Sequence, residues 1–286
     1  MKIVGNELFG TLREKCGPSF HNFVKEKIQP LAGYIIEENF GLESSKISEL
    51  SEEIDIIVNG AATTNFYERY DVALASNALG TKYICKFAEK CPNLKMFLHV
   101  STAYVAGEQQ GLLLEKPFRF GETLKQGCHL DIDGELKLVD SVKAELAHSS
   151  GNSKQLERTT MKKLGLKRTI DAIITAYAKQ SITYFIGDGD VILDLIPGDM
   201  VVNAMMVAMA IHWNKKGQVV IHVSSSLHNP LSISSAVEMA YNYLSANPQI
   251  GKNGRNFKAK RLHLIKRFSI FKAYMFVKYK LPIEVS

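Results

Sequence analysis

Two short apolar runs separated by one helical pattern constrain the fold of this chain more than any other feature. Residues 54–58 (IDIIV) and 96–100 (MFLHV) are short, apolar and rich in β-branched or aromatic side chains, which is typical of strands; we expect the first to be a buried strand. Between them, apolar residues recur at helical spacing from Val72 to Ala88. A strand, a helix and a strand within about fifty residues predict a βαβ unit with parallel strands and an α/β fold.

The remaining pattern predicts further helices and strands but no internal repeats. We expect a solvated helical segment over residues 1–32, helices over 136–147, 153–164 and 169–177, an extended run over 191–196, a helix over 200–213 with Asp199 as its N-cap, a strand over 219–223, and a helix that ends near residue 244.

Small and hydroxyl-bearing residues follow both strands of the predicted βαβ unit. The segments are residues 59–64 (NGAATT) and 101–104 (STAY). Ligands bind beyond the carboxyl ends of the strands in open parallel sheets, where small residues let a flat ligand approach the backbone. Ordinary turns, in which Ser and Thr hydrogen-bond to local amides, explain either segment equally well when it is taken alone.

The net charge of +6 is concentrated in one segment. Residues 252–280 contain ten Lys or Arg and no Asp or Glu, so the rest of the chain carries 25 basic and 29 acidic residues, a balance of −4. A basic end indicates an anionic partner, such as lipid headgroups, or else a solvated amphipathic helix. Nucleic-acid binding would rest on charge alone, because no nucleic-acid-binding motif is present.

Several kinds of site and segment are not indicated. The longest uncharged apolar stretch, residues 200–214, is shorter than the ~20 residues of a membrane-spanning helix, and no signal or transit peptide is visible. The four cysteines form no CxxC pair, which favours free thiols in a reducing compartment. The eight histidines form no HExxH motif, so we expect no metal.

Blocks of sequence spread over almost the whole chain resemble the plant fatty acyl-CoA reductases. These are alcohol-forming, NADPH-dependent members of the extended short-chain dehydrogenase/reductase superfamily. The blocks are residues 58–73 (VNGAATTNFYERYDVA), 77–81 (NALGT), 97–107 (FLHVSTAYVAG), 115–118 (EKPF), 194–203 (DLIPGDMVVN) and 223–230 (VSSSLHNP).

The resemblance implies a fold, a reaction and a set of site residues. The fold is a Rossmann-like parallel sheet with helices on both faces, with a partial NAD(P)-binding reductase domain over 1–223 and the start of a C-terminal substrate or membrane-associated region over 224–286. The reaction is NADPH-dependent reduction of a long-chain fatty acyl-CoA to a primary fatty alcohol in lipid, wax or suberin metabolism. Ser101, Thr102 and Asn77 match the catalytic positions, and the cofactor-binding positions are Asn59, Gly60, Ala61, Ala62 and Tyr104.

The chain also departs from the family pattern at two motifs. No glycine-rich turn of GxxGxxG type is present. The resemblance implies that the tyrosine of a Tyr-x-x-x-Lys pair donates a proton to the substrate carbonyl, and such a pair is absent from its expected place after Arg168. Only Tyr274 has a lysine four residues later, Lys278, and we interpret that spacing as coincidental. The residues on the two sides of the Arg168–Thr169 junction resemble family segments that are not adjacent.

We therefore expect an incomplete fold and impaired catalysis. The first βαβ unit and one central strand would be missing, and the chain would start after the phosphate-binding turn and stop before most of the C-terminal domain. The alternative is a non-enzymatic remnant that binds a membrane surface or a partner reductase through residues 252–280. By either hypothesis the protein is cytoplasmic, with peripheral contact at the endoplasmic reticulum as an open alternative.

Overall fold

The computed structural model describes residues 3–65, 68–102, 111–119, 121–122, 129–147, 153–166, 184–248 and 259–280. Its helices are α1 (Gly10–Cys16), α2 (Phe20–Lys27), α3 (Ser44–Glu53), α4 (Tyr70–Ala73), α5 (Gly80–Ala88), α6 (Ile132–Ala147), α7 (Ser153–Leu166), α8 (Gly198–Ile211), α9 (Ile233–Ala246) and α10 (Phe268–Met275). Its strands are β1 (Ile56–Asn59), β2 (Met96–His99), β3 (Tyr184–Ile186), β4 (Ile192–Leu193), β5 (Leu231–Ser232) and β6 (His263–Ile265).

The predicted βαβ unit is confirmed. Strands β1 and β2 pair in parallel, with Ile56 opposite Met96 and Asn59 opposite His99. The helix predicted between them is present as α4, a π-helical segment over Leu74–Leu79, and α5. Because the two strands end at the same level, the segments that follow them leave the sheet side by side.

A hydrophobic core lies where this unit meets α3. Its buried members are Ile47, Ile57, Phe87 and Cys91. The ring of Phe40 packs edge-on against Phe87, with ring centroids 5.6 Å apart. Each such side chain contributes roughly 1.5–3 kcal/mol when it is fully buried, so this cluster holds the strands in place.

Strand β1 is only half buried, which corrects the expectation of a fully buried strand. Ile57 faces the core, whereas Ile56 and Val58 on the opposite face are 39% and 46% exposed. A strand in a complete doubly wound sheet is covered on both faces. The exposed face of β1 therefore agrees with an incomplete Rossmann-like sheet.

The other described strands form two further short sheets. Strands β3 and β6 pair in parallel, and β4 and β5 pair antiparallel. The run predicted over 191–196 is thus confirmed in part, as β4. Each of these sheets joins a strand before residue 223 with one after residue 224, and the division into domains at that point stays a prediction.

Two local predictions about the second half of the chain are wrong. Residues 219–223 form no strand: their backbone has no strand beside it among the described residues, and the amide of His222 instead donates to Glu115 Oε1 at 2.6 Å. The N-cap of α8 is Pro197 rather than Asp199, which lies in the first turn. A carboxylate there still favours the helix, because it faces the positive end of the helix dipole.

Some predictions fall outside the described residues. These are the position of Tyr104, the helix over 169–177, the Arg168–Thr169 junction, and the state of Cys128. Cys16, Cys85 and Cys91 are free thiols. Within the described ranges, no helix has the length and hydropathy needed to cross a bilayer.

Candidate functional site

Asn59, the last residue of β1, is the centre of a small hydrogen-bonded cluster at the carboxyl edge of the β1–β2 sheet. Its side chain is buried, and its Oδ1 accepts a hydrogen bond from the amide of Ala61 at 3.2 Å. This bond orients the carboxamide so that Nδ2 donates to Nδ1 of His99, 3.1 Å away on β2. The Asn59 side chain therefore shapes the turn that follows β1, and its role in cofactor binding stays a prediction.

His99 is held as a neutral imidazole by this arrangement. Nδ1 accepts a hydrogen bond and so carries no proton, and partial burial lowers the pKa of His99 below its usual value. This contact between His99 and Asn59 was not predicted from the sequence. The signal that would have found the contact is the parallel register, which places the last residues of β1 and β2 opposite each other.

The turn after β1 offers open space to a flat ligand. Gly60, Ala61 and Ala62 are exposed, and a Cβ added at Gly60 would meet no atom within 4 Å. Side chains longer than a methyl group would fill this space. The three small residues leave the backbone accessible, and their role in binding a cofactor stays a prediction.

Asn77 closes the same turn from the helical side. It lies in the π-helical segment, and its side chain makes two bonds to Thr63: Oδ1 accepts from the Thr63 amide at 2.8 Å, and Nδ2 donates to the Thr63 carbonyl at 3.2 Å. Single π-helical turns often mark functional sites. These contacts give Asn77 a positioning role for residues 60–63, and its catalytic role stays a prediction.

Ser101 and Thr102 leave the sheet beside this turn. The amide of Val100 donates to the carbonyl of Asn59 at 2.9 Å, so the strand pairing continues to the residue before Ser101. Both side chains are exposed. Their hydroxyl groups stand at the sheet edge where the sequence predicted them, and a hydroxyl there can donate to a carbonyl oxygen.

The Tyr274–Lys278 pair is in contact, which the sequence interpretation did not anticipate. Lys278 Nζ donates to Tyr274 Oη at 2.6 Å, and the Tyr274 ring packs against Tyr184 of β3 with centroids 4.1 Å apart and the ring planes tilted by 34°. Burial alone would raise the pKa of Tyr274, but the bonds with Lys278 and Tyr184 lower it overall. The pair lies against the β3–β6 sheet, which is separate from the β1–β2 sheet that carries Asn59.

A network of acidic and basic side chains lies at the N-terminal end of α4. Arg69 bonds to Asp71 through Nε at 3.0 Å and through Nη2 at 2.8 Å, and also to Glu157 of α7. Lys143 of α6 reaches Asp71 at 2.9 Å. Burial raises the pKa of Asp71, but the hydrogen bonds and charges of Arg69 and Lys143 outweigh it and hold the pKa at about 2.

No metal centre is formed by the described residues: nowhere in them do three or more His, Cys, Asp or Glu side chains come together in a way that could hold an ion. The hydroxyl, amide and imidazole groups at the β1–β2 edge can form hydrogen bonds to a ligand.

Comparison with known proteins shows which family the chain is similar to. An NAD-binding family described as "Male sterility protein" matches residues 2–168. The "Alcohol-forming fatty acyl-CoA reductase" of Simmondsia chinensis is 35% identical, with 99% of this chain and 69% of that protein covered. The "Fatty acyl-CoA reductase 1" of Arabidopsis thaliana is 34% identical with the same coverage of each chain.

The same comparisons show positions that this chain lacks. The alignment with the Simmondsia protein extends over 341 residues, whereas 99% of 286 residues is about 283, so about 58 positions have no counterpart in this chain. The match to the NAD-binding family ends at residue 168, the position after which the sequence predicts an internal gap. An NAD-binding family over 2–168 indicates a nicotinamide cofactor, and with relatives this similar over nearly its whole length, the chain belongs to the fatty acyl-CoA reductases.

Proposed function

We propose that this chain binds NADPH and a long-chain fatty acyl-CoA at the carboxyl edge of β1 and β2, where its family reduces the acyl thioester to a primary fatty alcohol. The observation that carries the proposal is the open turn at Gly60–Ala62, held by Asn59 and Asn77 next to the exposed hydroxyls of Ser101 and Thr102. A planar ring and a carbonyl group can lie side by side in that space.

The small residues fit a nicotinamide ring and its ribose. Gly60, Ala61 and Ala62 leave the backbone accessible, and the Asn77–Thr63 bonds keep the turn in this shape before any ligand binds. Tyr104 is a further cofactor contact in this proposal. When it is bound, the cofactor would supply hydride.

The hydroxyls at the end of β2 act on the carbonyl of the substrate. Ser101 or Thr102 donates a hydrogen bond to the carbonyl oxygen, which stabilises the negative charge that develops there during reduction. His99 carries its proton on Nε2 and is a second donor at the same edge. Each reduction also consumes one proton, which a general acid must deliver.

We propose that the general acid is what this chain lacks. The family's Tyr-x-x-x-Lys pair is absent from the sequence after Arg168, and Tyr274 and Lys278 are engaged with Tyr184 on a separate sheet. Loss of a positioned general acid slows a reaction by about 10²–10⁴-fold.

Turnover measured beside the Simmondsia chinensis relative tests this proposal. With purified proteins, NADPH and a long-chain acyl-CoA, we expect this chain to form primary alcohol at least about 100-fold more slowly than the relative. Alcohol formation at a comparable rate would contradict the proposed loss of the general acid. Failure of NADPH to bind at millimolar concentration would contradict the function itself.

A second candidate function is peripheral membrane contact through residues 252–280. On α10 and the turn after it, Phe268 is 66% and Val277 62% exposed, and they lie among basic residues that include Arg267. Exposed apolar side chains next to cations are typical of helices that lie in a bilayer interface. Such contact would place the protein at the cytoplasmic face of the endoplasmic reticulum.

Vesicle sedimentation tests the second candidate. We expect the chain to sediment with anionic phospholipid vesicles and the double variant Phe268→Ser/Val277→Ser to lose most of that binding. Phe118→Ser, at another exposed phenylalanine, serves as the control. Equal sedimentation of the wild type and the double variant would contradict a role for α10.

A further inference from the structure

A basic cleft lies between the start of α4 and the first turns of α7. It has a volume of about 520 Å³ and is lined by Arg69, Lys154, Gln155, Glu157 and Arg158. Three of these five side chains are cations, and one is an amide that can donate. The cleft also lies at the N-terminal end of a helix of 14 residues, where the helix dipole favours an anion.

The floor of the cleft is fixed by the network of Arg69. Its guanidinium is held by Asp71 and by Glu157, and Asp71 is held in turn by Lys143. Helix α7 packs closely against the segment that precedes α4, since a Cβ added at Gly165 of α7 would lie 2.9 Å from the Glu68 carbonyl. A cation that is already fixed in position loses little conformational freedom when it binds a ligand.

The cleft has more positive charge than its own acids neutralise. Asp71 pairs with Arg69 and Lys143, and Glu157 pairs with Arg69. Lys154 and Arg158 are exposed and form no ion pair or hydrogen bond with another described residue. They lie four residues apart on one face of α7, where like charges repel each other unless an anion lies between them.

Arg69 of the cleft and Asn77 of the proposed active site lie at the two ends of one helical stretch, formed by α4 and the π-helical segment after it. The chain runs from Gly60 through Thr63 to Arg69, and Arg69 precedes Asn77 by eight residues of helix, about 12 Å at the usual rise. A ligand that reaches from the turn held by Asn77 to the cleft at Arg69 must therefore span about 12 Å. An acyl-coenzyme A has this form, because a flexible pantetheine arm separates its thioester from its phosphate groups.

We propose that this cleft binds the phosphate groups of the coenzyme A portion of the substrate. Arg158 and Lys154 contact the phosphates, and Gln155 donates a hydrogen bond beside them. Arg69 supplies a fixed positive charge at the floor. The inference rests on the proposed function for the acyl thioester, but it assigns a separate binding site that can be tested without turnover.

Calorimetric titration of the whole chain tests the cleft. The double variant Lys154→Gln/Arg158→Gln is compared with Lys137→Gln/Lys163→Gln, which removes two exposed cations from α6 and α7 outside the cleft. A second variant, Gln155→Glu, adds a negative charge to the cleft without removing a cation. The ligands are coenzyme A, 3′-dephospho-coenzyme A, NADPH and inorganic phosphate.

We expect the cleft double variant and Gln155→Glu each to weaken coenzyme A binding at least tenfold, while NADPH binding and the control variant are unchanged. The wild type should bind 3′-dephospho-coenzyme A more weakly than coenzyme A. A loss of NADPH binding with coenzyme A unaffected would assign the cleft to the cofactor and overturn the inference. Inorganic phosphate that binds as tightly as coenzyme A would also overturn it, since the cleft would then be a general anion site.

If NADPH binds and coenzyme A does not, only this inference fails; if NADPH does not bind, the proposed function fails.

Discussion

Asp71 shows how a single carboxylate can hold several elements together. It receives bonds from Arg69 and from Lys143, which joins α4 to α6, and Arg69 extends the network to α7 through Glu157. Its pKa of about 2 lies below the ordinary value of 3.8, so folding favours the ionised form. The stabilisation is complete above pH 4 and is lost as the pH falls from about 4 towards 2.

Replacing this carboxylate tests the pH dependence. Asp71→Asn should lower the free energy of unfolding near pH 7 by about 1.5–3 kcal/mol, the range for hydrogen bonds to charged groups. Its stability should also depend less on pH than that of the wild type between pH 4 and pH 2. Urea unfolding at several pH values measures both effects.

The control for this experiment is Asp140→Asn, an exposed carboxylate on α6. A surface substitution of this kind should stay within about 0.5 kcal/mol of the wild type. If the wild type and Asp71→Asn lost the same amount of unfolding free energy between pH 4 and pH 2, the role of the Asp71 carboxylate would be contradicted.

At the scale of single residues, the sequence predicted which positions meet at the β1–β2 edge but not how they interact. Small and hydroxyl residues after two parallel strands are visible as a pattern, so Gly60 and Ser101 could be placed. The Asn59–His99 and Asn77–Thr63 bonds depend on strand register and on a π-helical turn. Neither feature has a local sequence signal, so these partners could not be predicted.

At the scale of elements, α7 depends on one buried residue. Met161 is completely buried, although the helix around it is polar and most of its side chains are exposed. Removing a buried methionine side chain costs about 2–5 kcal/mol, because the apolar contacts are lost and a cavity remains. Met161→Ala should therefore destabilise the protein and loosen α7 first.

Hydrogen exchange of the α7 amides, together with urea unfolding, measures this effect. Leu156→Ala on the same helix is the matched control, since Leu156 is 47% exposed, and it should change the unfolding free energy by less than about 1 kcal/mol. Equal effects of the two substitutions would show that Met161 does not anchor the helix.

Elements with a regular period were predicted better than those that need a partner. The helical spacing over 72–88 was sufficient to place α4 and α5. The β-branched run at 219–223 is typical of a strand in its sequence. Within the described residues it pairs with no other strand. A strand is completed by its neighbour, so its local sequence alone does not determine it.

At the scale of the whole molecule, the exposed face of β1 and the short separate sheets agree with a Rossmann-like domain that lacks part of its sheet. The alignment with relatives, in which about 58 positions have no counterpart, supports the same conclusion. The sequence indicated this gap only through the family resemblance, because the length and composition of the chain are those of an ordinary globular domain.

The central claim, that NADPH binds over the turn after β1, is tested most directly by the NADPH dissociation constant of Gly60→Val. A Cβ at Gly60 meets open space, so the valine should fill the ligand position without changing the fold; Gly10→Val, at another open glycine, is the control. We predict that the wild type and Gly10→Val bind NADPH and that Gly60→Val binds at least tenfold more weakly with unchanged unfolding free energy. Equal affinity of Gly60→Val and wild type, or no binding by the wild type, would contradict the claim.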